Sequence, residues 1–310
     1  MICLRKAVEN YLTMRRSLGF KLLKMGHNLQ HFVSFMEQRE ASVITIDLAL
    51  RWAQQPQGVQ PALWAARLGF VRCFARYWSA IDPRTEIPPV GLLPYRTKRA
   101  IPYIYSDEEI KLLLNAAKNL LPLTSLRPWT YYTFFGLMAV TGMRISEAIH
   151  LDRSDVDLEQ KVLTVRLTKF GKSRLIPLHP STVQNLEQYL RRLDQLQPRS
   201  SVPNFFLSNQ GIALTDCMVR WTFIKLSRQI GLRKAGDSYG PRIHDLRHRF
   251  AVTTLLNWYR TGVDVEQRLP VLSTYLGHAH VTDTYWYLSA IPELLALTKD
   301  RLEQRWEVLS

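Results

Sequence analysis

The sequence predicts a mainly α-helical protein with one small antiparallel β-sheet. Over most of the 310 residues, apolar side chains recur every three or four positions, which is the spacing of amphipathic helices. Residues 161–178 instead alternate apolar and polar side chains and are rich in β-branched residues, which indicates a β-hairpin. The length corresponds to two domains of about 150 residues each, and a hydrophobic share of 46% is enough to fill their cores.

The first third of the chain predicts a small helical domain. Its first 100 residues contain 15 lysines and arginines against 6 acidic residues, which gives 15 − 6 = +9. The fourth helix carries Arg67, Arg72 and Arg76 among aromatic residues, a mixture that suits either contact with a phosphate backbone or an aromatic core with a solvated basic face. Amphipathic periodicity places the four helices at residues 7–18, 22–38, 46–55 and 62–79.

A proline-rich segment marks the boundary between two domains. Five prolines lie between residues 81 and 105, a composition that interrupts helices. Ser106 then begins a new helix, because its hydroxyl can cap the first turn and the acidic residues 107–109 are favourable there. We therefore expect a helical domain at residues 1–95 and a second, α+β domain at residues 96–310.

The second domain combines the hairpin with several helices. The two strands are expected at residues 161–167 and 173–178, on either side of a short break that contains Gly171. Periodicity places the helices of this domain at residues 106–120, 129–140, 181–196, 216–230, 245–259 and 293–308.

Charge and composition limit the function classes. Lysine and arginine total 41 against 26 acidic residues, and the net charge of +15 indicates a polyanionic partner. A membrane is excluded as that partner, because no run approaches the ~18 apolar residues of a span and the N-terminus lacks an apolar signal core. Cys3, Cys73 and Cys217 form no CxxC pair, which argues against a disulfide framework or a cysteine zinc site. We expect a soluble, cytoplasmic protein that binds nucleic acid.

Two basic residues in the second domain suit phosphate chemistry. Arg144 follows Gly142 at the start of a new helix, where amide groups and a guanidinium can meet one phosphate. Lys169 lies at the tip of the hairpin and can act as a phosphate ligand or a proton donor. Taken singly, Arg144 with Glu147 also fits a surface ion pair, and Lys169 also fits a solvated turn.

A histidine, an arginine and a tyrosine further along the chain extend this pattern. His244 and Arg247 are three positions apart and share a helix face, so that an imidazole and a bidentate guanidinium can reach one phosphoryl group. Tyr287 follows His278 in an aromatic stretch, and a tyrosine can serve as a covalent nucleophile. Each alone also fits a structural core residue. His278 and His280 make a poor metal pair, because side chains two positions apart on a helix diverge.

Together these motifs resemble the tyrosine recombinases, the family of phage integrases and Xer-type resolvases. The resemblance covers residues 100–290 and keeps the family order through TGMRISEA, TKFGKSRLIPL, HDLRHRFA and LGHAH, followed by a tyrosine. It implies a helical N-terminal core-binding domain joined to an α+β catalytic domain. Residues 1–95 match the family in architecture rather than in motif.

The resemblance also implies a reaction and its residues. The tyrosine attacks a scissile phosphate, the arginines stabilise the phosphorane, and a 3′-phosphotyrosyl link remains until a 5′ hydroxyl of another strand reverses the step. Neither a metal nor ATP is required, and no cofactor is expected. The catalytic positions implied in this way are Arg144, Lys169, His244, Arg247, His278 and Tyr287.

Two of these positions have neighbours of the same residue type. Tyr285 lies two residues before Tyr287, a rotation of roughly 200° along a helix, so the two hydroxyls cannot serve one site. Family spacing favours Tyr287 as the nucleophile, and likewise Lys169 over Lys172. Glu147 occupies a family acidic position that braces the active-site arginines. No role is assigned to His248 and His280.

The resemblance implies double-stranded DNA as the partner, clamped between the two domains. It further implies a homodimer on one DNA site and a homotetramer at synapsis, with the amphipathic C-terminal tail either docked on a neighbouring protomer or packed on its own domain. Simple core sites, like those of Xer proteins or of recombinases encoded by mobile elements, are the expected targets. The alternatives are a type IB topoisomerase, which relaxes DNA with the same cleavage chemistry, and a noncatalytic DNA-binding protein.

Overall fold

The computed structural model describes residues 3–96, 101–166, 173–198, 200–237, 239–290 and 292–307. The chain divides into two compact units, Met1–Ala100 and Ile101–Ser310. Both units are mainly helical and the second holds a three-stranded antiparallel sheet, which confirms the predicted fold class. None of the described helices is long and apolar enough to cross a membrane.

Four amphipathic helices build the first unit, as the periodicity predicts. They are α1 (Leu4–Ser17), α2 (Leu23–Glu37), α3 (Ile46–Ala53) and α4 (Pro61–Trp78). Helix α3 begins where the Thr45 hydroxyl accepts a hydrogen bond from the Leu48 amide, and α4 begins with a proline whose missing N–H costs nothing at that position. Phe32, Trp52 and Phe74 are almost completely buried and form the centre of the core.

The basic and aromatic residues of α4 serve mainly internal contacts. The Arg67 guanidinium lies 3.9 Å from the centre of the Trp52 ring and donates a 3.0 Å hydrogen bond to the Trp52 carbonyl. Arg72 donates to the carbonyls of Pro88 and Pro89 at 2.6 and 2.8 Å. Neither predicted role fits Arg67 and Arg72, because both are half-buried and bind carbonyls of their own unit. Arg76 is the exposed member of the three.

The second unit surrounds a short sheet with helices. Its helices are α5 (Asp107–Lys118), α6 (Leu126–Thr141), α7 (Ile145–Ile149), α8 (Pro180–Leu196), α9 (Asp216–Gln229), α10 (Asp245–Arg260), α11 (Val265–Leu276), α12 (Thr282–Ala290) and α13 (Pro292–Glu307). Its strands are β1 (Val156–Asp157), β2 (Val162–Val165) and β3 (Arg174–Pro177). Ser106 caps α5 in a complete capping box with Glu109, as its sequence predicts.

The register of the hairpin directs one charged side chain inward. In the antiparallel pair β2–β3, Leu163 lies opposite Ile176 and Val165 lies opposite Arg174. Opposite residues share a face of the sheet, and Leu163, Val165 and Ile176 are all buried. Arg174 therefore points into the unit together with three apolar neighbours.

The sequence did not predict β1 or α11. Strand β1 contains only two residues, too few for an alternating pattern. Helix α11 carries Pro270 in its interior and three polar residues in its first turn, which hide the apolar spacing of Leu269, Leu272 and Leu276. Asp264 was the available signal, because its carboxylate accepts hydrogen bonds from the first amides of the helix at 3.0 and 3.3 Å.

Three helix ends in the second unit meet at one place. Gly142 ends α6 and Gly277 ends α11, and both adopt the left-handed backbone conformation, with φ of +60° and +66°. The first turn of α10 lies between these two ends, and α10 packs against both helices. Phe250 of α10 covers Gly142 so closely that an added Cβ would lie 2.5 Å from the ring.

Replacing Gly142 by alanine tests this junction. We expect Gly142→Ala to lower the free energy of unfolding by about 1–3 kcal/mol, because a side chain at positive φ is strained and the new Cβ meets the Phe250 ring. Gly136→Ala in the same helix is the control, since its Cβ would make only an ordinary contact at 3.7 Å. That variant should be stabilised by roughly 0.5–1 kcal/mol. Urea unfolding measures both, and equal effects of the two substitutions would contradict the account.

Candidate active site

Arg247 lies at the centre of the three helix ends. It is 2% exposed and extends from the first turn of α10. Its guanidinium donates to the carbonyls of Gly142 at 2.8 Å and of Leu276 at 2.6 Å, so that it connects the ends of α6 and α11. Burial, followed by the nearby charge of Arg144, lowers the pKa of Arg247 to about 10. The group stays cationic at neutral pH.

Arg144 connects the same region to α7. Its guanidinium donates to Glu147 Oε1 at 2.8 Å and to the Gly277 carbonyl at 2.7 Å, and its backbone amide donates to Glu147 Oε2 at 2.8 Å. The side chain of Arg144 is 24% exposed, so part of it faces solvent. Arg144 and Arg247 therefore bind two consecutive carbonyls at the end of α11, and these contacts bring their guanidiniums close together.

Glu147 lies buried between two arginines. Besides Arg144, it accepts hydrogen bonds from both terminal nitrogens of Arg174 at 3.1 and 2.7 Å. Burial alone would raise the pKa of Glu147, but the hydrogen bonds and charges of Arg174 and Arg144 outweigh that effect and the pKa is lowered. This ionised carboxylate is the brace that the sequence resemblance implied.

Arg174 is a site residue that the sequence analysis missed. It begins β3, and its side chain is 9% exposed. A signal was present, because Arg174 and the fully buried Ile176 are two residues apart on a strand and thus share one face. A charged residue on a buried face requires an interior partner.

Two histidines lie together at the start of α10. The rings of His244 and His248 meet edge to face with centroids 4.8 Å apart. His244 is exposed, and the atoms packed beside its ring, followed by the charge of Arg247, hold its pKa below the ordinary value. Burial, followed by the charge of His244, lowers the pKa of His248 to about 3. Both imidazoles are therefore neutral at physiological pH.

Tyr287 extends from α12 into this cluster. It is 2% exposed, and its hydroxyl lies 3.1 Å from His248 Nδ1. The His248 Nε2 atom lies 3.9 Å from a carboxylate oxygen of Asp245, which favours a proton on Nε2 and leaves Nδ1 to accept from the phenol. Tyr285, two residues earlier, is 51% exposed and lies on another side of the helix.

His278 approaches Tyr287 from the end of α11. Its ring is nearly parallel to the Tyr287 ring, with centroids 6.3 Å apart, and its Nδ1 atom lies 2.7 Å from the Thr284 hydroxyl. The structure thus brings together five of the six residues proposed from the sequence. Lys169, the sixth, and its rival Lys172 lie outside the described residues.

His248 is a second site residue that the sequence analysis left without a role. Its position four residues after His244 places both on one face of α10, which was the available signal. In contrast, His280 is exposed. Among the residues that the structure describes, no group of three or more histidine, cysteine or acidic side chains could hold a metal ion.

The arginines, histidines and buried tyrosine that meet in this unit suit the transfer of a phosphodiester to a tyrosine. The Phage integrase family model matches residues 104–293. The chain therefore belongs to the phage integrase family, the tyrosine recombinases. It is a site-specific recombinase, and enzymes of this family break and rejoin DNA strands through a phosphotyrosyl intermediate.

Known proteins resemble the chain over nearly its whole length. The putative integrase/recombinase y4rB of Sinorhizobium fredii is 52% identical, over 99% of this chain and 99% of that protein. Tyrosine recombinase XerC of Staphylococcus aureus (strain JH9) is 27% identical, over 92% of this chain and 91% of XerC. These relationships favour a recombinase over the two alternatives from the sequence, a type IB topoisomerase and a noncatalytic DNA-binding protein.

Solved structures share the fold. The Tn1549 transposon integrase in complex with transposon right end DNA superposes with a TM-score of 0.67 and 16% identity, covering 96% of this chain and 98% of that chain. A lambda integrase tetramer bound to a Holliday junction superposes with a TM-score of 0.62 and 19% identity, covering 91% and 79% of the respective chains.

The lowered pKa of His248 predicts acid sensitivity. The folded state binds the His248 proton less tightly than the unfolded state does. The contribution of neutral His248 to the free energy of unfolding is therefore fully present above pH 6.5 and is lost as the pH falls toward 3. Between pH 7 and pH 5 we expect His248 to account for about 2 kcal/mol of lost unfolding free energy. Urea unfolding of wild type and His248→Gln at both pH values measures this difference.

The exposed His280 provides the matched control for this measurement. His280→Gln should lose as much stability as wild type between pH 7 and pH 5, whereas His248→Gln should lose less. Identical pH dependence in wild type and His248→Gln would show that the buried histidine is not responsible.

Proposed function

We propose that Tyr287 is the nucleophile and attacks a scissile phosphate of double-stranded DNA. The observation that carries this proposal is the position of its hydroxyl, buried beside His248 in the same cluster as Arg247. DNA as the substrate is supported by the net charge of +15 and by the fold shared with an integrase in complex with transposon DNA. Such a substrate is consistent with a cytoplasmic enzyme.

Arg144 and Arg247 have the role of phosphate ligands in this proposal. An attacking phenol produces a phosphorane with additional negative charge on its nonbridging oxygens. Two guanidiniums held by backbone carbonyls are already oriented and need little rearrangement as that charge develops. The partial exposure of Arg144 leaves a side from which a phosphate can approach.

The proposed step balances without an added reactant. A bond forms between the Tyr287 oxygen and phosphorus while the bond from phosphorus to the 5′ oxygen breaks. When a phosphate is bound, its negative charge raises the pKa of His248, and Nδ1, 3.1 Å from the hydroxyl, is then placed to accept the phenolic proton. Lys169, which lies outside the described residues, donates a proton to the departing 5′ oxygen. His244 and His278 orient the reacting groups or exchange protons with them.

The reverse step completes recombination. The phosphotyrosyl bond conserves the energy of the cleaved phosphodiester, so a 5′ hydroxyl from another strand can displace the tyrosine without ATP. We propose residues 96–310 as the catalytic domain for both steps. Residues 1–95 are the core-binding domain, supported by the +9 charge of the first 100 residues, which suits contact with the phosphate backbone.

Substitution of the two tyrosines identifies the nucleophile. With a nicked DNA substrate that traps the covalent intermediate, wild type and Tyr285→Phe should form a protein–DNA adduct. Tyr287→Phe should form none, because it lacks the attacking oxygen, although it should bind the DNA with unchanged affinity. Denaturing gels measure the adduct and gel shifts measure binding. An adduct in Tyr287→Phe that disappears in Tyr285→Phe would reverse the assignment.

We also propose a homodimer on one DNA site and a homotetramer at synapsis. The shared fold with a lambda integrase tetramer supports this assembly. In the isolated chain, α13 begins on its own unit, since Leu294 is fully buried in the cluster with α10 and Thr298 bonds to the Tyr259 hydroxyl at 3.2 Å. Only the part of the tail beyond these anchors is assigned to the neighbouring protomer.

Removal of residues 301–310 tests that role of the tail. Sedimentation with DNA that carries two sites should show tetramers for the full chain. The shortened chain keeps Leu294 and Thr298 and should bind DNA without forming tetramers. Tetramers of the shortened chain would refute the tail as the assembly element, and monomers of the full chain on DNA would refute the assembly itself.

A further inference from the structure

Three arginines bind three consecutive carbonyls where α11 ends. Arg174 Nε donates to the Tyr275 carbonyl at 2.7 Å, Arg247 donates to Leu276, and Arg144 donates to Gly277. The last carbonyls of a helix have no partner within the helix and require donors from elsewhere. Two of these arginines are the proposed phosphate ligands, and the third has no part in the proposed reaction.

Arg174 is joined to Arg144 by a second route. Both arginines donate to the same carboxylate, that of Glu147, whose side chain is only 5% exposed. Arg174 therefore contacts both groups that hold the Arg144 side chain, the carboxylate on one side and the end of α11 on the other. The bidentate contact with Glu147 also fixes the direction of that carboxylate.

Gly277 shows how closely these groups are fitted. A Cβ atom on this residue would lie 2.9 Å from one Arg174 nitrogen and 3.3 Å from one Arg144 nitrogen. Both guanidiniums thus occupy the space that a side chain would need. A shift of Arg174 changes the room available to Arg144 directly, as well as through Glu147.

We propose that Arg174 is a positioning residue that holds Arg144 in the orientation required to bind the scissile phosphate. This inference rests on the proposed role of Arg144. Arg174 does not touch the phosphate in this account, and its effect on the reaction passes through Glu147 and the end of α11. The second strand of the hairpin, β3, thereby contributes to the reaction through its first residue.

Arg174→Lys is the variant that tests the inference. Lysine keeps the positive charge beside Glu147, but it cannot present two parallel N–H groups to a carboxylate and a third to the Tyr275 carbonyl. We expect the single-turnover rate of adduct formation on nicked DNA to fall roughly 10- to 100-fold, since small displacements of a catalytic group have effects of this size. DNA affinity at the same salt concentration should stay unchanged.

Arg220→Lys is the matched control. Arg220 also pairs with a carboxylate in the second unit, that of Asp216 at 2.5 Å, but the pair is exposed on α9. This variant should cleave at the wild-type rate. Thermal unfolding of each variant shows whether it is folded at the temperature of the assay, and rates are compared at a temperature where all variants are folded.

A double-variant cycle separates positioning from general structural damage. If Arg174 acts through Arg144, the Arg174→Lys change should alter the rate by less than about twofold in an Arg144→Lys background, because the group it positions is already gone. Equal, multiplicative losses in both backgrounds would overturn the inference, as would a wild-type rate in Arg174→Lys. If instead the proposed role of Arg144 as a phosphate ligand is wrong, Arg144→Lys alone will cleave at the wild-type rate.

Discussion

The site depends on the hydrogen bonds that three arginines donate to the carbonyls at the end of α11. The carbonyls of residues 275–277 have lost their helical partners and face the interior, where unpaired acceptors are costly. The guanidiniums of Arg144, Arg174 and Arg247 are removed from much of their water and need acceptors for their own protons. The guanidiniums supply the donors that the carbonyls need, and the carbonyls supply the acceptors that the guanidiniums need. The orientation of α6, α7, β3 and α10 around α11 follows from these hydrogen bonds.

The same arrangement leaves a charge imbalance that suits the reaction. Arg144 and Arg174 share the Glu147 carboxylate, whereas Arg247 binds backbone carbonyls. The three arginines and Glu147 together therefore carry two uncompensated positive charges. Burying like charges together disfavours their charged forms in the absence of a ligand. The pKa of Arg247 is lowered accordingly, first by burial and then by the charge of Arg144. A phosphodiester that gains a further negative charge during attack is the complement of such a site. The neighbouring histidines, neutral at physiological pH, add no further cation.

Local patterns predicted the elements and the main motifs, but not the contacts between distant segments. Periodicity predicted the four helices of the first unit and the two strands of the hairpin, because burial repeats with the geometry of the element. Arg174 and His248 were missed as site residues because their partners lie 27 and 39 residues away, at Glu147 and Tyr287, and only packing of the whole unit sets those distances. Helix α11 was missed because a proline and a polar first turn interrupt its pattern.

Gly277 leaves room for the guanidiniums of Arg144 and Arg174 because it has no β-carbon. Arg144 and Arg174 approach each other across the place where every other residue carries its β-carbon, and the left-handed backbone at this residue is strained for any side chain. A side chain at this residue would therefore displace both guanidiniums as well as strain the backbone. A substitution of Gly277 cannot be compensated by a smaller residue nearby, because the atoms that the new side chain would meet belong to Arg144 and Arg174 themselves. We therefore expect such a substitution to be corrected in evolution by reversion to glycine.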